Sequence, residues 1–114
     1  MIKELQTQVD DWIKTVWVTY FDEMTNLAQL TEEVGEVASI IVREYGEQSW
    51  KKEKKPEDPK KELADELADV LFVLVAIANQ TDIDLEAAWN RWMDKRNARD
   101  KERHWDNEKL TEKL

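Results

Sequence analysis

The sequence has no cysteine, two glycines, two prolines and one histidine among its 114 residues. Without cysteine there is no disulfide framework, no thiolate metal site and no cysteine nucleophile, a usage that suits a reducing compartment. Breakers this scarce, beside 41% apolar and 38% charged residues, point to long helices, since sheets need more turns. Long apolar runs are missing too. The longest uncharged stretch, Val70 to Thr81, is too short to span a bilayer, and charges from Lys3 onward replace the apolar segment of a signal peptide. The expectation is a soluble, cytoplasmic protein with no membrane partner. Cations are also in deficit. Seventeen Lys and Arg against 26 Asp and Glu leave a net charge of −9, which repels a nucleic acid polymer but leaves room for a small anion escorted by metal ions.

What is present reads as one domain over residues 1–114, all-α, built from four helical segments. The first, about Ile2 to Val18, sets Leu5, Val9, Trp12, Ile13 and Val16 at amphipathic spacing, then bends or ends in the β-branched and aromatic run Val16 to Phe21. Asp22 is an N-cap for the second, which carries Leu27, Leu30, Val34, Val37 and Ile41 toward Gly46, a natural residue beyond a helix C-terminus. The polar and basic stretch Glu47 to Asp58 reads as an exposed loop. Asp58 and Pro59 then form an N-cap and first-turn pair that opens a third helix to about Gln80. After two candidate caps, Asp82 and Asp84, a fourth helix carries Leu85, Ala88, Trp89, Trp92 and Met93, with the tryptophans expected in the core, and runs to about Arg103. Residues 103–114 read as an irregular tail.

The third helix concentrates the chemistry. On a wheel of 100° per residue, Leu63, Leu67, Val70, Leu71, Leu74, Ile77 and Ala78 share an arc of about 120°, and Glu62, Asp65, Glu66 and Asp69 occupy the arc beside it. Two turns on, that acidic arc becomes Phe72, Val73 and Ala76. The C-terminal half is therefore apolar all round, as a helix enclosed by partners should be. In the second helix Glu33 falls at the edge of the apolar face, with Glu36 beside it and Glu32 nearer solvent. An antiparallel hairpin of the two helices gathers Glu33, Glu36, Glu66 and Asp69 around one point. Each like-charge pair at about 4 Å costs on the order of 4 kcal/mol at an effective dielectric of 20. The groups must therefore be protonated, held apart in water, or joined by a cation. All-oxygen ligands favour a hard cation, Mg²⁺ first with Mn²⁺ as a substitute. A di-iron site of the Glu-x-x-His type finds only His104, in the tail.

At these residues the chain resembles the MazG-like all-α nucleoside triphosphate pyrophosphohydrolases, relatives of dimeric dUTPases and phosphoribosyl-ATP pyrophosphatases. Glu33-Val-Gly-Glu36 and Glu66-Leu-Ala-Asp69 match the family's E-x-x-E and E-x-x-D helices. NLAQLTEEVGEV and DELADVLFVLVAIA match the words around them, over about Phe21 to Arg99. The resemblance implies Mg²⁺-dependent hydrolysis of a nucleoside triphosphate to the monophosphate and pyrophosphate, in house-cleaning or control of nucleotide pools. Glu33, Glu36, Glu66 and Asp69 would be the metal ligands, with Glu32 or Glu62 orienting or deprotonating the water. Lys95, Arg99 and Arg103, stepping by four along the fourth helix, and Asn97 would meet the phosphates. Asn26, in the family's N-L word, would meet the rest of the substrate. Trp17, Tyr20 and Phe21 offer faces on which a base can stack. Gly35, inside a helix, hints at close approach by a ligand, a metal or a partner helix. The bundle would be completed in a homodimer or a dimer of dimers. Two other readings use the same residues: a non-catalytic metal or nucleotide sensor, and an acidic helical interaction protein.

Overall fold

The computed structural model describes residues 1–114, all-helical and without strands. Helix α1 spans Ile2–Trp12 and widens into a π-helical turn at Ile13–Trp17. Thr15 explains part of the widening, because its hydroxyl donates back to the carbonyls of Asp11 and Trp12, at 2.8 and 3.2 Å, a bond that competes with the helical ladder and bends it. The segment stops at Val18, a β-branched residue held at φ 72° and ψ −53°. The Thr19 amide closes a γ-turn on the Trp17 carbonyl at 2.8 Å, a strained geometry that cramped functional segments retain.

Helix α2, Glu23–Glu44, starts where Asp22 accepts from the Thr25 amide at 2.7 Å. Gly46 does not take the left-handed conformation expected of it, since no glycine has positive φ. The position is reserved for glycine by crowding, because a Cβ there would stand 2.7 Å from the Val42 carbonyl oxygen. Helix α3, Pro59–Gln80, opens on the Asp58 cap. Helix α4, Leu85–Asp100, is capped by Asp84 and stops three residues short of the expected end, and the tail folds a short α5 at Glu108–Thr111.

Helices α2 and α3 pack as an antiparallel hairpin, with α1 laid against α3. Asn26 near the start of α2 donates to Gln80 at the end of α3, at 2.7 Å, and both side chains donate to the Phe21 carbonyl. Gln6 of α1 holds the opposite flank. It donates to Asn79 and to the Ile83 carbonyl and accepts from the Leu85 amide, each at 2.9 Å, which pins the α3–α4 turn to α1. Nearby Tyr20 donates to Asp10, and burial together with that carboxylate pushes its phenol up to about 12.

The core is small. Val9, Ile13, Val75 and Ala76 form it, and only eight residues of the chain are buried. The radius of gyration, 18.4 Å, exceeds the roughly 13 Å of a compact chain of this length. Leu27, Val34 and Ile41 of α2 and Leu67, Leu71 and Leu74 of α3 remain 41–52% exposed. Trp89 and Trp92, expected in the core, are 50% and 45% exposed and stack on one another with centroids 5.2 Å apart. With so little core, each member counts. Ile13, 1% exposed, joins the core to the π turn, and Ile13→Ala is expected to lower stability by about 3 kcal/mol, read as a drop in the denaturation midpoint at unchanged slope.

Candidate active site

The hairpin register brings Glu33 of α2 level with Glu66 and Asp69 of α3. One carboxylate oxygen from each lies within 4.8 Å of the others. Glu33 and Glu66 are half-buried and Asp69 is exposed. Three negative groups so placed repel one another, and the effect is focused on the middle one. Partial burial, a hydrogen bond shared with Glu33 and the charges of Glu33, Asp69 and Glu36 push the Glu66 carboxyl up to about 7. A chain holding an acid at that value near neutral pH is set to exchange its proton for a cation. The donor set fits a hard divalent ion, since every ligand atom is a carboxylate oxygen.

Glu36 stands outside the three-carboxylate group, exposed one turn along α2, near enough to add its charge to Glu66. Glu32 and Glu62 are exposed on the solvent side. Asp65 is paired with Lys61 at 3.2 Å and takes no part. A Cβ on Gly35 meets nothing within 4 Å, so the close approach expected there is not made within the chain.

A groove of about 650 Å³ runs between α1, α2 and α3, and Glu33 and Asp69 are among its lining residues. Its other walls are apolar and aromatic. Trp12, Trp17 and Phe72 meet edge to face with centroids 5.1–5.5 Å apart, and Phe21 lies 5.2 Å from Trp17. The γ-turn at Val18 is what folds Trp17 and Phe21 together. Asn26, 5% exposed, also lines the groove, and with its amide nitrogen spent on Phe21 and Gln80 its carbonyl oxygen is free to accept. Gln29 and Gln8 complete the polar lining. The sequence reading passed over both, although Gln29 sits four residues before Glu33 and Gln8 four before Trp12, on the same helix faces. Flat aromatic walls, a few amides and an acidic mouth make a site for a planar ligand with an anionic tail that is bridged by a cation.

The basic residues expected over the phosphates stand elsewhere. Lys95, Asn97, Arg99 and Arg103 are absent from the groove lining. Arg99 and Arg103, with Arg96, surround Asp100, whose carboxyl is held down to about 2, chiefly by Arg99.

These features have known counterparts. YpjD of Bacillus subtilis strain 168, an uncharacterized protein, is 44% identical over 102 residues, which span 90% of this chain and 88% of that one. The crystal structure of the Bacillus-conserved MazG protein, a nucleotide pyrophosphohydrolase, superposes with a TM-score of 0.68 at 37% identity, covering 83% of this chain and 87% of that one. A crystal structure of YpjD from Bacillus subtilis gives 0.71 at 41% identity, covering 83% and 93%. The profile of the MazG nucleotide pyrophosphohydrolase domain matches residues 21–104, which contain α2, α3, α4 and both acidic motifs. The chain belongs to the MazG nucleotide pyrophosphohydrolase family.

Proposed function

We propose that the chain hydrolyses nucleoside triphosphates, deoxynucleotides included, between the α and β phosphorus atoms with Mg²⁺ as its cofactor. The observation that carries this reading is the joining of the Glu33, Glu66 and Asp69 cluster to the aromatic groove. The base and sugar enter the groove, where Trp17 offers a stacking face and the Asn26 carbonyl oxygen accepts from a ring or exocyclic N–H. The anionic tail then reaches the carboxylates at the mouth. Glu33, Glu66 and Asp69, with Glu36 one turn away, would hold Mg²⁺, or Mn²⁺ in its place, which would supply neutralisation of the phosphate charge and a more acidic water. Glu32, exposed beside Glu33, orients the water and takes its proton. Oxygen from water is added, the α–β anhydride bond breaks, and the monophosphate and pyrophosphate leave.

The exposed apolar rows of α2 and α3 support a homo-oligomer, a dimer or a dimer of dimers, as the working form. No helix is long and apolar enough to cross a membrane. A role in clearing or balancing nucleotide pools fits a cytoplasmic location. The test is product analysis with a panel of standard and modified triphosphates in Mg²⁺. One pyrophosphate per monophosphate is expected, and release of inorganic phosphate as the first product would overturn the reading.

A further inference from the structure

Asn26 is buried, at 5% exposure, yet it lines the groove. The fold fixes which end of its amide faces a ligand. Phe21 offers a backbone carbonyl, which can only accept, and two side chains donate to it: Asn26 through Nδ2 at 3.3 Å and Gln80 through Nε2 at 2.9 Å. Gln80 thereby turns its Oε1 toward Asn26 and accepts the second Nδ2 proton at 2.7 Å. Neither amide can be reversed without setting two acceptors, or two donors, against each other. The Asn26 Oδ1 is left over. Every sealed side-chain oxygen and nitrogen of the buried and half-buried residues has a partner, so this oxygen, which has none, is open to the groove as an acceptor of fixed direction. The other amides of the lining, exposed Gln8 and half-buried Gln29, can turn to suit a ligand.

Helix α2 also sets the direction in which a nucleotide lies. Asn26, Gln29 and Glu33 follow one another on a single face at spacings of three and four, and all three line the groove. Asn26 and Glu33 are about 10 Å apart along the axis. With the phosphates at Glu33, the nucleoside runs past Gln29 toward Asn26, and its leading atom is the one farthest from the sugar. In a pyrimidine that is the substituent on C4, across the ring from the glycosidic nitrogen; in a purine it is the substituent on C6. We propose that the site selects nucleotides whose base carries an amino group there, cytosine, adenine and their derivatives, and that Gln80 is the positioning residue that sets the choice. An amino group donates to the Asn26 Oδ1. The keto oxygen of uracil, thymine, guanine or hypoxanthine meets it acceptor to acceptor, and both stay unpaired against apolar walls. Gln80 is not part of the lining and acts through the Asn26 amide alone.

The inference rests on the pyrophosphohydrolase reading for where the phosphates lie, so turnover and binding are measured separately. Pyrophosphate release in Mg²⁺ is compared within two pairs that exchange amino for keto at this one position, dCTP against dUTP and dATP against dITP. The amino member of each pair should have a kcat/KM at least about tenfold higher; equal values, or a preference for the keto member, overturn the proposal. In Gln80→Leu the Asn26 amide keeps only its 3.3 Å bond to Phe21 and can turn. Both ratios should then fall toward one, through a higher KM for the amino member and not a lower kcat. In Gln80→Lys the ammonium donates to Phe21 and to Asn26, the amide reverses to present Nδ2, and the order within each pair should invert. If Gln80→Lys does not melt as wild type does, Gln80→Leu decides alone. Wild-type ratios in a folded Gln80 variant overturn the proposal. Calorimetric titration with α,β-methylene dCTP and α,β-methylene dUTP, which cannot be cleaved between the α and β phosphorus atoms, reads the choice without turnover. Tighter binding of the cytosine analogue, with no pyrophosphate from any of the four triphosphates, sinks the catalytic reading and leaves the selection standing. Pyrophosphate from all four with equal efficiency does the reverse.

Discussion

Asp69→Asn is expected to lower pyrophosphate release by at least about 10³-fold while leaving the fold intact. Asp69 is exposed, and asparagine keeps its shape, so no packing is lost. What is lost is one of three oxygens that lie within 4.8 Å of each other and that together make a cation worth dehydrating. Removing a negative charge from a repelling cluster should also leave the melting temperature of the metal-free protein unchanged or raised. A site residue whose loss stabilises the empty protein carries a functional strain, which a merely structural ion pair would not show. Asp65→Asn makes the same change of charge one turn earlier, at a carboxylate paired with Lys61, and should alter the rate by no more than about twofold. Steady-state rates and melting curves of the two variants decide the matter. Equal losses in both would mean that bulk charge, and not the cluster, governs turnover.

How much of this was legible in the sequence depended on whether the deciding contact was local. The caps at Asp22, Asp58 and Asp84 and the first turn at Pro59 follow from residues within three positions of each other, and all three caps form. The acidic cluster was legible because two helical wheels in an antiparallel hairpin fix which faces meet. Glu36 stands one turn along α2 from Glu33, about 60° round the helix, outside the group of three but near enough to add its charge to Glu66. The base-side groove was less so. Trp12 and Phe72 are 60 residues apart in the chain, and their edge-to-face contact at 5.5 Å follows from the tilt of α1 on α3, which no local pattern encodes.

The largest misreading was of α4. Two tryptophans on one side of a helix suggest a core face, but their spacing reports which face is apolar and not which molecule buries it. Trp89 and Trp92 pack on each other and on Arg96 instead of on the bundle. The same ambiguity explains the open rows at Leu27, Val34 and Ile41 and at Leu67, Leu71 and Leu74. Their heptad-like spacing is a sound sign of burial that an isolated chain cannot satisfy.

Removing the divalent cation with EDTA is expected to abolish turnover and to leave a protein whose stability falls as pH rises. The sign follows from Glu66. Its carboxyl is pushed up to about 7 in the folded chain from an ordinary value of 4.5, so the folded state holds a proton that the unfolded state has already released. Stability from this group is complete below about pH 4.5 and is lost as pH rises through 7. Water reaches the cluster and screens it, so the loss should be about 1–2 kcal/mol, or several degrees in melting temperature for a chain of this size. Glu66→Gln should remove that decline, and comparison with wild type at each pH cancels the general repulsion of a chain at net charge −9. Saturating Mg²⁺ should reverse the trend, because the ion displaces the proton and binds more tightly as pH rises, stabilising the folded state by mass action. Calorimetry between pH 5 and 8, with Mg²⁺ and with EDTA, reads both slopes at once. If the two curves run parallel, the carboxylates do not share a metal and their proximity has another cause.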